Sequence, residues 1–313
     1  MNTDWFKEAQ YGLFVHYMSE LQNLTPFNPK EFDRGLHQDQ VTDWNTCVNA
    51  FNVNLFAEQA SQAGAAYVMF TLGQCSGYFC APNSIYDAYT GHAAGEKCSE
   101  RDLILDLHEA LEAKGIKLML YLIAHSPYGD QEASVALGSP ELAANGYHYL
   151  PTPVFRDRWS EVIKEWSDRY GSKIVGWWFD GYYSDLYYND VYCMTLSKAA
   201  KSGNSDSIVA FNPGLVIVKA TIADDYTAGE QAVMELFPED RWVDGIQWHC
   251  LTFLGDFWAY TNNKLPDEEV VQYVKNCTDK QGVVTLDVGV YRDGSISPEQ
   301  MGFLKNLKEA IRG

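Results

Sequence analysis

Two carboxylates offer the sharpest chemistry in this chain. Asp180 closes the apolar run Ile174–Phe179, with Trp177, Trp178 and Phe179 before it and Gly181 after it. A carboxylate held among aromatic walls is shielded from water, which suits a nucleophile or a base. The same position also suits the N-cap of a following helix. Glu230, in Asp225-Tyr226-Thr227-Ala228-Gly229-Glu230, is the natural partner. Cleaving a glycosidic bond takes such a pair, one group to attack or to activate water and one to protonate the leaving oxygen. Read alone, Glu230 is as readily a solvated surface acid, and Asp224 and Asp225 compete for its role.

The remaining chemistry-bearing types narrow the field. His16 follows an apolar run and can reach sugar hydroxyls or cap a backbone carbonyl; His125 and His249 carry the same two readings. No H-x-x-x-H and no His/Asp pair sits at metal-ligand spacing, so no metal is expected. The chain has no G-x-S-x-G elbow, no P-loop and no Gly-rich phosphate turn, which removes the usual esterase and NTPase readings and any cofactor they would imply. Cys75 and Cys80 flank Ser76-Gly77-Tyr78-Phe79 and read either as a redox pair or as small, half-buried thiols.

Positioning such groups takes a scaffold, and the pattern supplies one. Short runs rich in Val, Ile, Leu and aromatics predict strands at Gly12–His16, Ala66–Thr71, Lys117–Ile123, Ile174–Phe179, Ser207–Phe211, Gly245–Trp248 and Gly282–Asp287, buried on both faces. A further strand is expected near Asp225–Thr227. Helical patterns alternate with them: Asn54–Gln62 after Asn52, Ser99–Lys114 with Ser99 as N-cap and Gly115 closing it, Phe155–Tyr170, Asp185–Lys201, Pro266–Lys280 and Ser297–Arg312. This alternation implies parallel pairing through right-handed crossovers, and the count points to a single (β/α)8 barrel, with a doubly wound sheet as the competing α/β architecture. In a barrel, function sits on the loops after the strands. Those loops carry His16, Gln74-Cys75-Ser76-Gly77-Tyr78, His125, Asp180, Asn212, Glu230 and Trp248-His249.

Composition agrees. With 313 residues and 46% hydrophobic content, the chain has ample material for one large core. A net charge of −19 repels phosphate backbones, so nucleic acid is a poor partner. No run approaches the roughly 18 apolar residues of a membrane span. The aromatic content, 14%, fits either core filling or flat platforms for sugar rings. Seven cysteines without a C-x-x-C pair predict reduced thiols and a cytoplasmic address, or a periplasmic or secreted one if a leader was removed. The sequons at Asn23 and Asn276 are expected by chance.

In this order the motifs resemble the α-L-fucosidases of glycoside hydrolase family 29. Trp5-Phe6-Lys7-Glu8-Ala9 and Tyr11-Gly12-Leu13-Phe14-Val15-His16 are similar to that family's opening strand with its sugar-binding His. Phe51–Ala57, Ala63–Val68 and Ser99-Glu100-Arg101-Asp102 resemble the next elements. Trp178-Phe179-Asp180-Gly181 is similar to the motif of the nucleophilic Asp, and Asp225–Glu230 to the segment whose last residue is the acid/base. Trp248–Thr252 through Trp258-Ala259-Tyr260, then Asp287-Val288-Gly289, look like the family's Trp-Glu…Gly-Tyr and Asn-Val-Gly segments.

The resemblance implies a retaining exo-glycosidase in which Asp180 forms the glycosyl-enzyme and Glu230 serves as acid and then base. Its substrate would be a terminal α-linked fucose, or a fucose-like sugar, on an oligosaccharide or glycoconjugate. The residues expected around that sugar are His16, Gln74, Cys75, Tyr78, Tyr121, His125, Trp178, Asn212, Trp248 and His249. Gln74 and Cys75 stand where fucosidases carry two hydroxyl-reading histidines, and His249 stands where they carry Glu. The barrel is expected to fill residues 1–313 without the family's usual β-sandwich, and an oligomer is possible. A same-clan enzyme for another sugar, such as an α-galactoside or a modified deoxy-sugar, is the nearest alternative. A non-catalytic sugar-binding barrel is the other, favoured if Asp180 and Glu230 lie more than about 10 Å apart, since retaining pairs sit at roughly 5–5.5 Å.

Overall fold

The computed structural model describes residues 3–19, 42–125, 127–146, 148–186 and 188–313, so the Asn23 sequon lies outside the described residues. The strands are β1 Tyr11–Val15, β2 Tyr67–Thr71, β3 Lys117–Ile123, β4 Ile174–Asp180, β5 Ile208–Phe211, the short β6 Trp242–Val243 and β7 Ile246–Gln247, β8 His249–Phe253 and β9 Val283–Val288. Seven of them form one parallel sheet in the order β5-β4-β3-β2-β1-β9-β8. Helices lie between the strands, as right-handed crossovers require. The result is a single (β/α)8-type barrel.

The sheet closes through a segment that is barely a strand. Residues 225–231 run between β5 and β8: Asp225 N donates to Val209 O at 2.8 Å, Leu251 N to Gly229 O at 2.9 Å and Gln231 N to Leu251 O at 2.8 Å. Two side chains replace the missing ladder. Asp224 Oδ1 accepts from Phe211 N and Asp225 Oδ2 from Val209 N, both at 2.9 Å. These two acids, rivals of Glu230 on sequence grounds, are therefore spent on the β5 edge. Burial pushes the Asp224 carboxyl up to about 7, while Lys201 pairs with Asp225 at 2.6 Å. Gly229 lets the segment hug β8, because a Cβ there would lie 1.9 Å from His249 O.

Alternation along the strands divides the core in two. Leu13, Val68, Leu120, Trp177 and Val209 face the helices. Phe14, Met69, Tyr121, Trp178, Ala210, Ala228 and Leu251 fill the barrel interior. Phe6, from the opening helix Asp4–Ala9, plugs the floor, its ring about 5 Å from those of Tyr67, Tyr226 and His249. The inward row continues past each apolar layer to Asp180 after Trp178, and to Glu230 after Ala228. Period-two alternation thus sets both carboxylates on the inner face at the carboxyl ends of their segments.

Several boundaries differ from the sequence expectation. The helix expected at Ser99–Lys114 spans Leu103–Glu112, and its N-cap is Asp102, which accepts from Leu105 N at 3.1 Å. Ser99 Oγ instead bonds Arg101 O within the preceding turn. The helix expected from Asp185 begins at Asp190 with Asn189 as N-cap. The run Gly245–Trp248 contributes only β7, while the barrel strand is the segment that follows it, His249–Phe253. Consequently Trp248 and His249 stand at the amino end of a strand, away from the mouth, Trp248 in the layer that faces the helices and His249 on the floor beside Phe6.

His249 has a structural task there. Its Nδ1–H donates to Thr227 O at 2.9 Å, and its Nε2 accepts from Thr285 Oγ1 at 2.7 Å. Burial drops its pKa from 6.5 to about 4. Between those values the unfolded chain holds a proton that the folded one refuses. Stability is therefore full above pH 6.5 and falls as pH drops toward 4. About 3 kcal/mol should be lost across that window. Asp224, pushed up to about 7, titrates in the opposite sense over the same window, so the share of His249 is read as a difference. In urea denaturation at both pH values, the native protein should lose about 3 kcal/mol more than His249→Gln between pH 6.5 and 4. An equal slope in the variant would contradict the assignment.

Candidate active site

At the mouth, a cavity of about 430 Å³ is lined from β1, β2, β3, β4, β8 and the 225–231 segment. That volume lies in the range of roughly 300–1,000 Å³ typical of small-molecule sites. Asp180 and Glu230 both line it. The amide of Asn212, the residue after β5, joins them: its Nδ2 donates to Asp180 Oδ1 at 2.9 Å and to Glu230 Oε2 at 2.6 Å. Two oxygens on one nitrogen can be no farther apart than those two bonds laid end to end. Those two oxygens are therefore at most about 5.5 Å apart, far closer than the roughly 10 Å that would separate the acids of a non-catalytic barrel and compatible with the spacing of retaining glycosidases.

Asp180 is fixed by further donors. Tyr121 Oη–H reaches its Oδ2 at 2.6 Å and Gly181 N its Oδ1 at 2.7 Å, while Tyr183 Oη lies 3.5 Å from Oδ1, too long for a strong bond. Burial and the charge on Asp180 raise the Tyr121 phenol well above its ordinary range, so it stays a donor. The Asp180 charge and burial do the same for Tyr183. Below them Trp178 stacks on Tyr121 at 5.4 Å and 18°, and its Nε1–H holds Ala228 O at 3.0 Å. The indole therefore ties β4, which carries Asp180, to the segment carrying Glu230.

The opposite wall is built on His16 and Asp287. His16 Nδ1–H donates to Asp287 Oδ1 at 2.9 Å, and Asp287 Oδ2 accepts from Ala259 N at 2.6 Å. Ala259 adopts φ +65°, a conformation that costs a non-glycine residue about 1–3 kcal/mol, next to the lining residue Trp258. The Trp258 ring meets the His16 ring edge-on at 5.5 Å. One buried carboxylate thus orients an imidazole and an indole on the same side of the cavity.

Of the residues singled out by sequence, Asp180, Glu230, His16, Gln74, Cys75, Tyr121 and Trp178 line the cavity, and Asn212 bridges the acids. Four others stand elsewhere. Trp248 and His249 are at the amino end of β8, as described. Tyr78 packs on Trp44 at 5.8 Å with Lys97 over its ring. His125 is buried behind Tyr128, stacked on it at 4.8 Å, and its Nδ1 meets Tyr188 Oη at 2.8 Å. Burial, then His148, holds its pKa well below the ordinary value. None of the seven cysteines, Cys75 and Cys80 included, forms a disulfide. Among the described residues no cluster of His, Cys, Asp or Glu could hold a metal, and no helix is long and apolar enough to cross a membrane.

The site also recruits residues that pattern did not single out: Met18, Tyr128, His148, Tyr183 and Trp258. Tyr183 was visible only as an aromatic just beyond a strand end, and Trp258 only as part of the segment Trp258-Ala259-Tyr260 that resembles the family's motif. His148 had no signal, since its loop has neither periodicity nor a motif.

The α-L-fucosidase family model matches residues 1–310. The chain belongs to the α-L-fucosidase family. Solved structures share its fold at low identity. An α-L-fucosidase from Lactobacillus casei superposes with a TM-score of 0.65 at 18% identity, covering 98% of this chain and 97% of that one. Isoenzyme 1 from Paenibacillus thiaminolyticus gives 0.65 at 22%, covering 99% and 75%. An endo-fucoidan hydrolase of glycoside hydrolase family 107 gives 0.70 at 16%, covering 97% of this chain, which spans about half, 52%, of that protein's length. No curated protein matches the sequence. Within the family, the departures seen in the sequence fall inside the cavity at Gln74 and Cys75, but outside it at His249.

Proposed function

We propose that the protein is a retaining exo-α-L-fucosidase that removes a terminal fucose, or a fucose-like sugar, from an oligosaccharide or glycoconjugate. The observation that carries this reading is the shared Asn212 nitrogen, which holds an oxygen of each carboxylate close enough for a retaining pair. Asp180 Oδ attacks the anomeric carbon while Glu230, protonated, gives its proton to the leaving oxygen. The glycosidic bond breaks, and a glycosyl ester forms on Asp180. Glu230, now a carboxylate, takes a proton from water as the water oxygen attacks the same carbon. The ester breaks, Asp180 is free again, and two inversions leave the anomeric configuration unchanged.

Asp180 suits the first role because it is fixed at the end of a regular strand by Tyr121, Gly181 and Asn212. His16 and Trp178 would orient the sugar, one by hydrogen bonding and the other by its ring. Proton NMR of the earliest product should show the α anomer of the released sugar before mutarotation; β anomer appearing first would overturn the reading. The second reading, a hydrolase for a sugar with a different hydroxyl pattern, draws on Gln74 and Cys75. A panel of nitrophenyl glycosides, α-L-fucoside against α-galactoside and other deoxy-sugars, separates the two.

The Asp287 clamp gives a milder expectation. Asparagine has one acceptor oxygen where Asp287 uses two, so Asp287→Asn either loses the His16 or the Ala259 bond, or keeps His16 only by donating to its Nδ1. The latter reverses the imidazole tautomer and makes Nε2 a donor toward the cavity instead of an acceptor. A lost bond to a charged acceptor is worth about 1.5–3 kcal/mol. With His16 and Trp258 loosened, or the His16 tautomer reversed, KM for an aryl fucoside should rise roughly tenfold or more, with a smaller change in kcat. An unchanged KM would show that the clamp does not serve substrate.

A further inference from the structure

The loop between the helices Gln131–Leu137 and Pro153–Tyr170 brings one residue into the cavity, His148. It is held there with an unusual degree of definition for a loop side chain. Asn145 Nδ2 donates to Asp185 Oδ2 at 2.7 Å and lies 3.1 Å from His148 Nδ1, while Asn145 Oδ1 accepts from His148 N at 3.0 Å. Asp185 belongs to the short turn Ser184–Leu186 just beyond Asp180. A carboxylate only accepts, so the Asn145 amide must present its NH2 to both Asp185 and His148. Nδ1 of His148 is then the acceptor, and the neutral ring carries its proton on Nε2.

That Nε2–H has no partner among the described residues. The ring itself is fixed, stacked on Tyr183 at 5.7 Å and 27° and set edge-on to Tyr128 at 4.6 Å. Burial lowers its pKa, which keeps the ring neutral at neutral pH. In the same cavity, the positions that resemble the family's hydroxyl-reading histidines hold Gln74 and Cys75, and a thiol is a weak donor.

We propose that His148 is a specificity-determining residue that donates its Nε2–H to one ring hydroxyl of the bound sugar, a donor supplied from the β3 loop rather than from β2. The proposal rests on the fucosidase reading and deepens it: the substrate must carry a hydroxyl at the position this donor reaches.

The test is a cycle between protein and substrate. Native protein, His148→Phe and His148→Gln are assayed on an aryl α-L-fucoside and on its analogues deoxygenated singly at C2, C3 and C4. His148→Phe should lower kcat/KM roughly tenfold on the parent and on two analogues, in line with one hydrogen bond lost. On the third, which lacks the partner hydroxyl, native and variant should be nearly equal. His148→Gln, which keeps an amide donor, should recover part of the loss with the same pattern, and serves if the Phe variant folds poorly. Equal ratios across all four substrates, whether tenfold or one, would overturn the assignment while leaving the fucosidase reading intact. Absence of turnover by the native protein on every fucoside would remove that reading, and the assignment with it.

Discussion

Asp180→Ala is expected to lower kcat on an aryl fucoside by roughly 10⁴-fold or more, the scale of removing a nucleophile whose partners act with it as a unit. The loss should appear in kcat and kcat/KM together, since binding groups such as His16 and Trp178 remain. Truncation also opens space beside the anomeric carbon, where added azide can attack once. A single displacement inverts the centre, so the azide product should be the β-fucosyl azide. The fold should survive, because Tyr121, Asn212 and Gly181 N face the cavity and can turn to water. Activity near that of the native protein, measured against a vector-only preparation, would remove Asp180 from the mechanism.

The second large effect should fall on Glu230, with a different signature. Glu230→Ala is expected to cost about 10²–10⁴ on substrates with poor leaving groups, the range for losing a general acid. A dinitrophenyl fucoside, whose leaving group needs no proton, should form the glycosyl-enzyme at near-native rate. Its breakdown should then be slow, because the base that activates water is gone, and a burst of phenolate should precede the slow phase. Azide, a nucleophile that needs no base, should accelerate that phase and yield the α-fucosyl azide. Opposite azide anomers from the two variants would assign the roles independently of rate. A uniform loss across leaving groups would instead make Glu230 a positioning residue.

How legible this site was in the sequence depended on whether a residue sat in a regular element. Asp180 was readable because Ile174–Phe179 is a continuous apolar run, and a polar residue ending such a strand stands at the barrel mouth. Glu230 was placed with less warrant, because Asp225–Thr227 is a poor strand sequence. The structure shows why: Asp224 and Asp225 spend their carboxylates on β5 amides, so acids that look functional are in fact ladder substitutes. The error at Trp248 and His249 had the opposite cause. His249–Phe253 opens on a histidine and carries a threonine, yet it pairs with β9 over its full length. The polar His249 is tolerated there because Thr227 O and Thr285 Oγ1 satisfy it, and local composition cannot report such partners.

Helix starts shifted for a related reason. Ser99 and Asp102 both suit an N-cap, and the choice of Asp102 is made by tertiary contacts, with Arg169 and Tyr170 also reaching its carboxylate. The aromatic excess also resolves into two uses. Trp159, Trp166 and Trp177 fill the layer between sheet and helices, whereas Tyr121, Trp178, Tyr183 and Trp258 stand at the cavity. His148 and the Asp287 clamp were beyond sequence reading, since each acquires meaning only from residues far along the chain.

The most direct test of the account is to trap the intermediate. Native protein incubated with a 2-deoxy-2-fluoro-α-L-fucosyl fluoride should lose activity and gain the mass of one fluorosugar, because fluorine at C2 slows breakdown of the ester more than its formation is limited by the good leaving group. Peptide mapping by tandem mass spectrometry should place the label on Asp180. Inactivation with the sugar on another carboxylate, or steady turnover with no covalent adduct, would contradict the double displacement at Asp180.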